Sequence, residues 1–195
     1  MTKLYVLRKN ESPWGDYGDI LIHGMTDGPP GGTVVLERTG PFIPPITQPY
    51  GAIVVTDAFR RELEGEGFTG FEFRGVVKKR IVKLAWEEWD RTADEPVRYP
   101  AGGEPENYVL GRKHNPAVAA WMGDLWALHV YGVPGLQIPG SKAVDLSNYN
   151  GEDICRNHPR GYTFVSERLM AWLAVHAFEW VAFEDADGVL AGDDA

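Results

Sequence analysis

Apolar residues fall along this chain in short runs separated by Gly- and Pro-rich stretches, not in long periodic blocks. Leu4-Tyr-Val-Leu7 predicts a first strand, and Asp19-Ile-Leu-Ile-His23 predicts a second. Asp27-Gly-Pro-Pro-Gly-Gly32 marks a turn, because its Gly and Pro residues supply the backbone angles a reversal needs. Thr33-Val-Val-Leu36 follows as another short strand. Residues 40–49 hold four prolines. Proline lacks an amide donor and restricts the residue before it, which excludes helix and central strand there and predicts a pinned, extended loop.

A clearer unit comes next. Ala52-Ile-Val-Val55 is a buried-strand run. The Thr56 hydroxyl can cap a helix, and Asp57 complements its positive end. Phe59 and Leu63 then share one helix face, and Gly65 and Gly67 stop the helix. Residues 70–73 start an alternating strand running on through Val76 and Val77, and residues 81–84 predict the next strand.

The same order returns 110 positions later. Phe164 and Val165 precede Ser166 as cap and Glu167 as first-turn acid; Leu169, Trp172 and Leu173 form an apolar face; residues 180–183 predict a strand. Residues 54–73 align on 164–183 without a gap, with Val55/Val165, Leu63/Leu173, Phe68/Phe178 and Phe73/Phe183 identical. Two explanations stand side by side: a generic strand–capped helix–strand pattern, or an internal duplication. Farther on, Pro116 can open a helix running through Trp121 and Leu125 to Leu128; residues 132–140 read as loop, and the acidic tail 185–195 as frayed. The fold class expected is α+β: a single domain over 1–195 with short, mostly antiparallel strands and a few helices. Two related units, 52–77 and 162–184, would share one core.

Composition narrows the function. With 195 residues and 44% hydrophobic content the chain can bury a real core. Its 28 Asp and Glu against 19 Lys and Arg give a net charge of −9, which disfavours a phosphate backbone as partner and favours a basic one. Cys155 is the single cysteine, so no internal disulfide can form and a reducing compartment is expected. The apolar run at residues 4–7 is too short for a signal-peptide core, and the one at 171–183 too short to span a bilayer. A soluble, cytoplasmic protein follows, with no membrane partner.

Gly65-Glu-Gly-Phe-Thr-Gly70 matches GxGxxG. A dinucleotide site needs that motif after a strand and before a helix; here it follows a helix and opens a strand, so a helix stop is the better reading. Cys155 and His158, with Asp153 nearby, have ligand types at close spacing, but His23, His114, His129 and His176 are scattered singly and form no zinc pattern. No metal or other cofactor is expected. Glu87, Glu88, Asp90, Asp94, Glu95, Glu104 and Glu106 supply carboxylates without the paired environment that acid–base chemistry needs. Lys78, Lys79 and Arg80 alternate faces and read as a solvated strand edge. Trp86-Glu-Glu-Trp89-Asp90 places two indoles on one side of a helix inside an acidic rim. Core packing explains most tryptophans, but that composition also describes an anchor for a basic partner. The candidate partner-binding residues are Trp86, Glu87, Glu88, Trp89, Asp90, Asp94 and Glu95.

Residues 55–73, beginning Val55-Thr-Asp-Ala-Phe, and residues 164–173, beginning Phe164-Val-Ser-Glu-Arg, both resemble the "V-S/T-E/D-R-F…L…G…G-V-x-F" segment of bacterial immunity proteins. Those proteins belong to polymorphic-toxin and contact-dependent killing systems. Asp145-Leu-Ser-Asn148 is similar to a short segment that often precedes the last unit in them. With residues 40–49 the resemblance covers about half the chain. A related group carries paired CxxCG motifs; this chain, with Cys155 alone, resembles the members that lack them, so no metal role carries over. No catalytic residue carries over either, because immunity proteins act by binding. The resemblance implies a cytoplasmic, non-enzymatic protein that occludes the active site of a cognate toxin domain. The alternatives are a small hydrolase or transferase with a carboxylate or Cys/His site, and a scaffold interaction module.

Overall fold

The computed structural model describes residues 3–27, 32–84, 90, 93–94, 99, 104–136, 144–158 and 161–187. Twelve strands and five helices occur among them, and most strand pairs are antiparallel, an α+β architecture of short elements. The chain divides into two compact units. Unit 1 comprises Met1–Asn10, Glu62–Glu72 and His129–Ala195, and unit 2 comprises Glu11–Arg61 and Phe73–Leu128. Among the described residues no helix is long and apolar enough to cross a membrane.

Unit 1 is built on a five-stranded sheet ordered β12-β1-β11-β10-β9. Its strands are β1 (Leu4–Lys9), β9 (Gly132–Pro134), β10 (Ile154–His158), β11 (Thr163–Ser166) and β12 (Val181–Asp185). β1 runs antiparallel between β11 and β12, with Tyr5 opposite both Val165 and Asp185. Helix α5 (Glu167–His176) connects β11 to β12. Leu4, Val6, Val133, Leu136, Cys155, Phe164 and Ala186 form one buried cluster, where each large aliphatic or aromatic side chain contributes about 1.5–3 kcal/mol by leaving water. Asp185 therefore closes a strand, and Ala186 after it is core.

Unit 2 carries the three-stranded sheet β2-β3-β7, with β2 (Met25–Asp27), β3 (Val35–Gly40) and β7 (Val77–Lys83). A second sheet is ordered β4-β5-β8-β6, with β4 (Ile46–Thr47), β5 (Val54–Thr56), β6 (Phe71–Gly75) and β8 (Leu125–Val130). The sequence boundary between the units falls within β6, within β8 and within helix α2 (Asp57–Glu66). Helices α1 (Asp16–Ile22), α3 (Pro105–Leu110) and α4 (Pro116–Trp121) complete unit 2. Leu36, Val54, Ile81, Val118, Ala119, Met122 and Leu125 form its main core cluster, beside a smaller one of Ile20, Met25, Val82 and Val109.

The two capped helices form where the sequence places them. Phe59 N donates to Thr56 Oγ1 at 3.3 Å, and Leu169 N donates to Ser166 Oγ at 3.2 Å. Each connects two strands that are separated in their sheet by one other strand: β8 between β5 and β6, and β1 between β11 and β12.

Four segments differ from the pattern-based expectation. Residues 132–134, read as loop, form β9, because they pair parallel with residues 156–158 of β10. Residues 19–22 belong to helix α1, with His23 as its C-cap, and not to a strand. Ile20, Leu21 and Ile22 are all buried in succession, and Gly24, with φ +81°, ends the helix. The expected helix through Leu128 stops at Trp121. Gly123 takes φ +65°, and Leu125–Val130 becomes β8. The strand expected through Val77 breaks at Val76, whose amide donates to Leu125 O at 3.0 Å, and residues 81–83 continue β7 instead of starting a strand.

Candidate protein-docking face

Of the seven residues expected to meet a partner, Trp86, Glu87, Glu88, Trp89 and Glu95 lie outside the described residues. Asp90 and Asp94 are placed, and both are exposed. Glu104 is exposed ahead of α3, and Glu106 accepts from the Tyr50 hydroxyl at 2.7 Å.

The remaining candidate chemistry disperses. Cys155 is 1% exposed inside the unit 1 core, and burial, with Glu152 adding to it, pushes its thiol up to about 12. A thiol in that setting is not an activated nucleophile. His158 ends β10, and its side chain lies outside the described residues. His23 is buried in unit 2, and His114 Nδ1 accepts from Ile81 N at 3.0 Å. No group of three or more His, Cys, Asp or Glu among the described residues could hold a metal ion. Residues 65–70 end α2 and lead into β6, the helix-then-strand order that rules out a dinucleotide loop. Lys78 Nζ donates to Ala119 O at 2.6 Å and Gly123 O at 2.7 Å, closing the C-terminus of α4.

Unit 1, in contrast, gathers an exposed apolar and acidic surface at α5 and residues 62–68. It starts from Asp153, which is 7% exposed. Its carboxylate accepts from Thr69 N at 3.0 Å, Thr69 Oγ1 at 3.3 Å, Ser166 Oγ at 3.0 Å and Arg168 Nη1 at 3.0 Å. The cap of α5 and the segment after α2 are thereby fixed to one buried charge. Arg168 also donates to Glu66 O and lies 4.3 Å from the Phe68 ring centroid.

From Arg168 an aromatic series runs along α5. Phe68 meets Trp172 edge-on at 5.6 Å, and Trp172 stacks on His176 at 4.2 Å with planes 11° apart. His176 Nδ1 stands 3.6 Å from Glu62 Oε2. Each aromatic contact contributes about 0.5–1.5 kcal/mol beyond area burial.

Beyond this series the surface turns apolar toward water. Val175 is 73% exposed and Phe178 65% exposed. The turn that presents Phe178 is pinned: Asn10 Nδ2 donates to Phe178 O at 2.7 Å, Asn10 N to Trp180 O at 3.2 Å, and Trp180 N to Ala177 O at 2.8 Å. Glu62, Glu64, Glu66, Glu167 and Glu179 are exposed in the same two segments. The sequence of unit 1 contains 14 Asp and Glu against 7 Lys and Arg, whereas unit 2 contains 14 against 12.

Phe178 aligns with Phe68 in sequence but not in environment: Phe68 is half-buried and Phe178 is exposed. Val175 carried a readable signal, because it lies about 200° around the helix from buried Leu173. No protein-family model, curated protein or solved structure matches the chain.

Proposed function

We propose that this chain is a non-enzymatic immunity protein that binds a cognate bacterial toxin domain in the cytoplasm and blocks its active site. One observation carries the reading. Two large apolar side chains, Val175 and Phe178, are held out to solvent at the pinned end of α5, in the unit with twice as many acidic as basic residues. Apolar anchors on a fixed backbone inside a charged rim are the composition of a protein-binding surface. The excess of carboxylates selects a basic partner and speeds encounter with it. The resemblance of residues 55–73 and 164–173 to immunity proteins supplies the class of partner.

The test is co-expression in a surrogate bacterium of the C-terminal domain encoded by the adjacent upstream gene, scored by cell survival and by co-purification. Survival restored together with a stable complex supports the reading. Toxicity that persists despite soluble expression of this protein overturns it. A Val175→Ser, Phe178→Ser variant that folds normally should lose protection, and full protection by it would move the contact surface elsewhere.

A further inference from the structure

Helix α4 of unit 2 turns an uncharged face to solvent. At 3.6 residues per turn, Pro116, Ala117, Ala120 and Trp121 fall on one side, and Val118, Ala119 and the C-cap Met122 on the other. The second group is buried in the main unit 2 core, and the first is exposed throughout. Trp121 is 84% exposed, the highest value among the exposed large hydrophobic side chains described.

The helix that presents this indole is fixed. Asn115 Oδ1 accepts from Val118 N at 3.1 Å, and Asn115 N donates to Ile81 O at 2.8 Å. At the other end, Lys78 holds the carbonyls of Ala119 and Gly123. Beneath, α4 sits directly on β3: a Cβ at Gly40 would stand 2.7 Å from Met122 Sδ and 2.8 Å from Val118 Cγ1. A side chain on so fixed a backbone loses little freedom when a partner covers it.

Charge decides what can cover it. Lys113 lies three residues before Pro116, Asp124 three residues after Trp121, and both are exposed. Arg112 is turned toward α3: its Nη1 donates to Tyr108 O at 2.8 Å, and its guanidinium lies 3.7 Å from the Tyr108 ring centroid. The order along the chain is one positive charge, an uncharged face ending in Trp121, and one negative charge. That order is complementary to its own reverse. A two-fold axis between Val118 and Ala119 sets Lys113 against Asp124, Pro116 against Trp121 and Ala117 against Ala120, each pair made twice. With a net charge of −9, two copies repel each other in general, but across this axis opposite charges meet.

We propose that the α4 face docks on the same face of a second copy of this chain, as an antiparallel, two-fold contact. The alanines let the two helices approach closely, and each Trp121 covers Pro116 and the aliphatic stem of Lys113 on the other copy. The contact is small, so the association is weak, with a Kd on the order of 10–100 µM. It is independent of the α5 face, and at nanomolar concentration the chain is monomeric.

The experiment is sedimentation equilibrium of the full chain in low salt over roughly 5–500 µM, a range that brackets such a Kd. The mass should rise from 21.7 kDa toward twice that value. Trp121→Ser, at a position the core does not use, should raise Kd by roughly thirtyfold or more. Lys113→Glu and Asp124→Lys each set like charges face to face, and each alone should raise Kd by roughly tenfold. Mixed in equal amounts, these two variants should form a mixed dimer as tight as the unsubstituted one, because both charge pairs across the axis are again opposite. A monomer mass at every concentration overturns the proposal and leaves Trp121 to a different protein. A dimer that survives Trp121→Ser overturns it by placing the contact on another face. Charge variants that fail to recover on mixing overturn the antiparallel pairing.

Discussion

Four donor groups converge on the Asp153 carboxylate, and Asp153 N in turn donates to Thr69 Oγ1 at 3.2 Å. Removing the carboxylate leaves an amide, two hydroxyls and a half-exposed guanidinium short of an acceptor. Asp153→Ala should therefore cost about 3 kcal/mol in urea unfolding, and Asp153→Asn less, since one amide oxygen still accepts. A loss well under 1 kcal/mol for the alanine variant would remove Asp153 as the fixing point of α5. Cys155 makes a pH prediction. Its folded thiol is raised from an ordinary value near 9 to about 12, chiefly by burial, and Tyr149 is raised to about 12 with burial again the largest cause. Between pH 9 and 12 the unfolded thiol has lost its proton while the folded one keeps it. The unfolded state then binds fewer protons, and stability falls as pH rises through that window. The urea midpoint should drop from pH 8 to pH 10.5, and Cys155→Ala should drop less. Equal losses in the two proteins would mean that the thiol is not the group responsible.

At the scale of elements, Gly70 joins the end of α2's connection to β6 under a tight constraint. It has φ +99°, and a Cβ would lie 1.9 Å from Ile154 O. Gly70→Ala must both leave the left-handed region and push β10 away, so a loss of about 3 kcal/mol or more is expected. A Gly70→Ala protein with an unchanged unfolding midpoint would show that residues 69–70 and 153–154 do not pack as described. Which elements were legible follows the same logic of local against long-range constraint. Thr56 and Ser166 announced both ten-residue helices because a cap acts within three residues. The run Ile20-Leu-Ile22 did not announce α1, because three consecutive apolar residues suit a buried strand or a buried helix equally. The change from α4 to β8 at Gly123 was signalled by the glycine but obscured by apolar residues at helical spacing on either side. The candidate docking face was legible only in part. Caps, carboxylates and Val175 could be seen along the chain, but the meeting of Phe68 with Trp172 depends on Asp153, whose partners are up to 84 positions away.

Across the whole molecule, charge is distributed unevenly: unit 1 has an excess of 7 acidic residues in sequence, unit 2 an excess of 2. If net charge alone drew a basic partner, reversal of any three exposed acids would slow binding equally. If the α5 face receives the partner, position matters, because exposed charges more than about 8–10 Å apart are largely screened at ordinary salt. Glu62→Lys, Glu66→Lys, Glu179→Lys and the control Glu11→Lys, Glu104→Lys, Asp124→Lys change the net charge by the same amount, the first set in unit 1 and the second in unit 2. The first set should lower the association rate with the toxin domain by roughly tenfold or more in 50 mM salt, and the control set by only a fraction of that. Raising the salt to 500 mM should bring both variants and the unsubstituted protein together, since screening removes steering without touching the apolar anchors. Dissociation should change little in either charge set and accelerate in Val175→Ser, Phe178→Ser, where buried contact area is lost. Equal slowing by the two charge sets would assign the attraction to the molecule's overall field and detach the acidic rim of α5 from recognition.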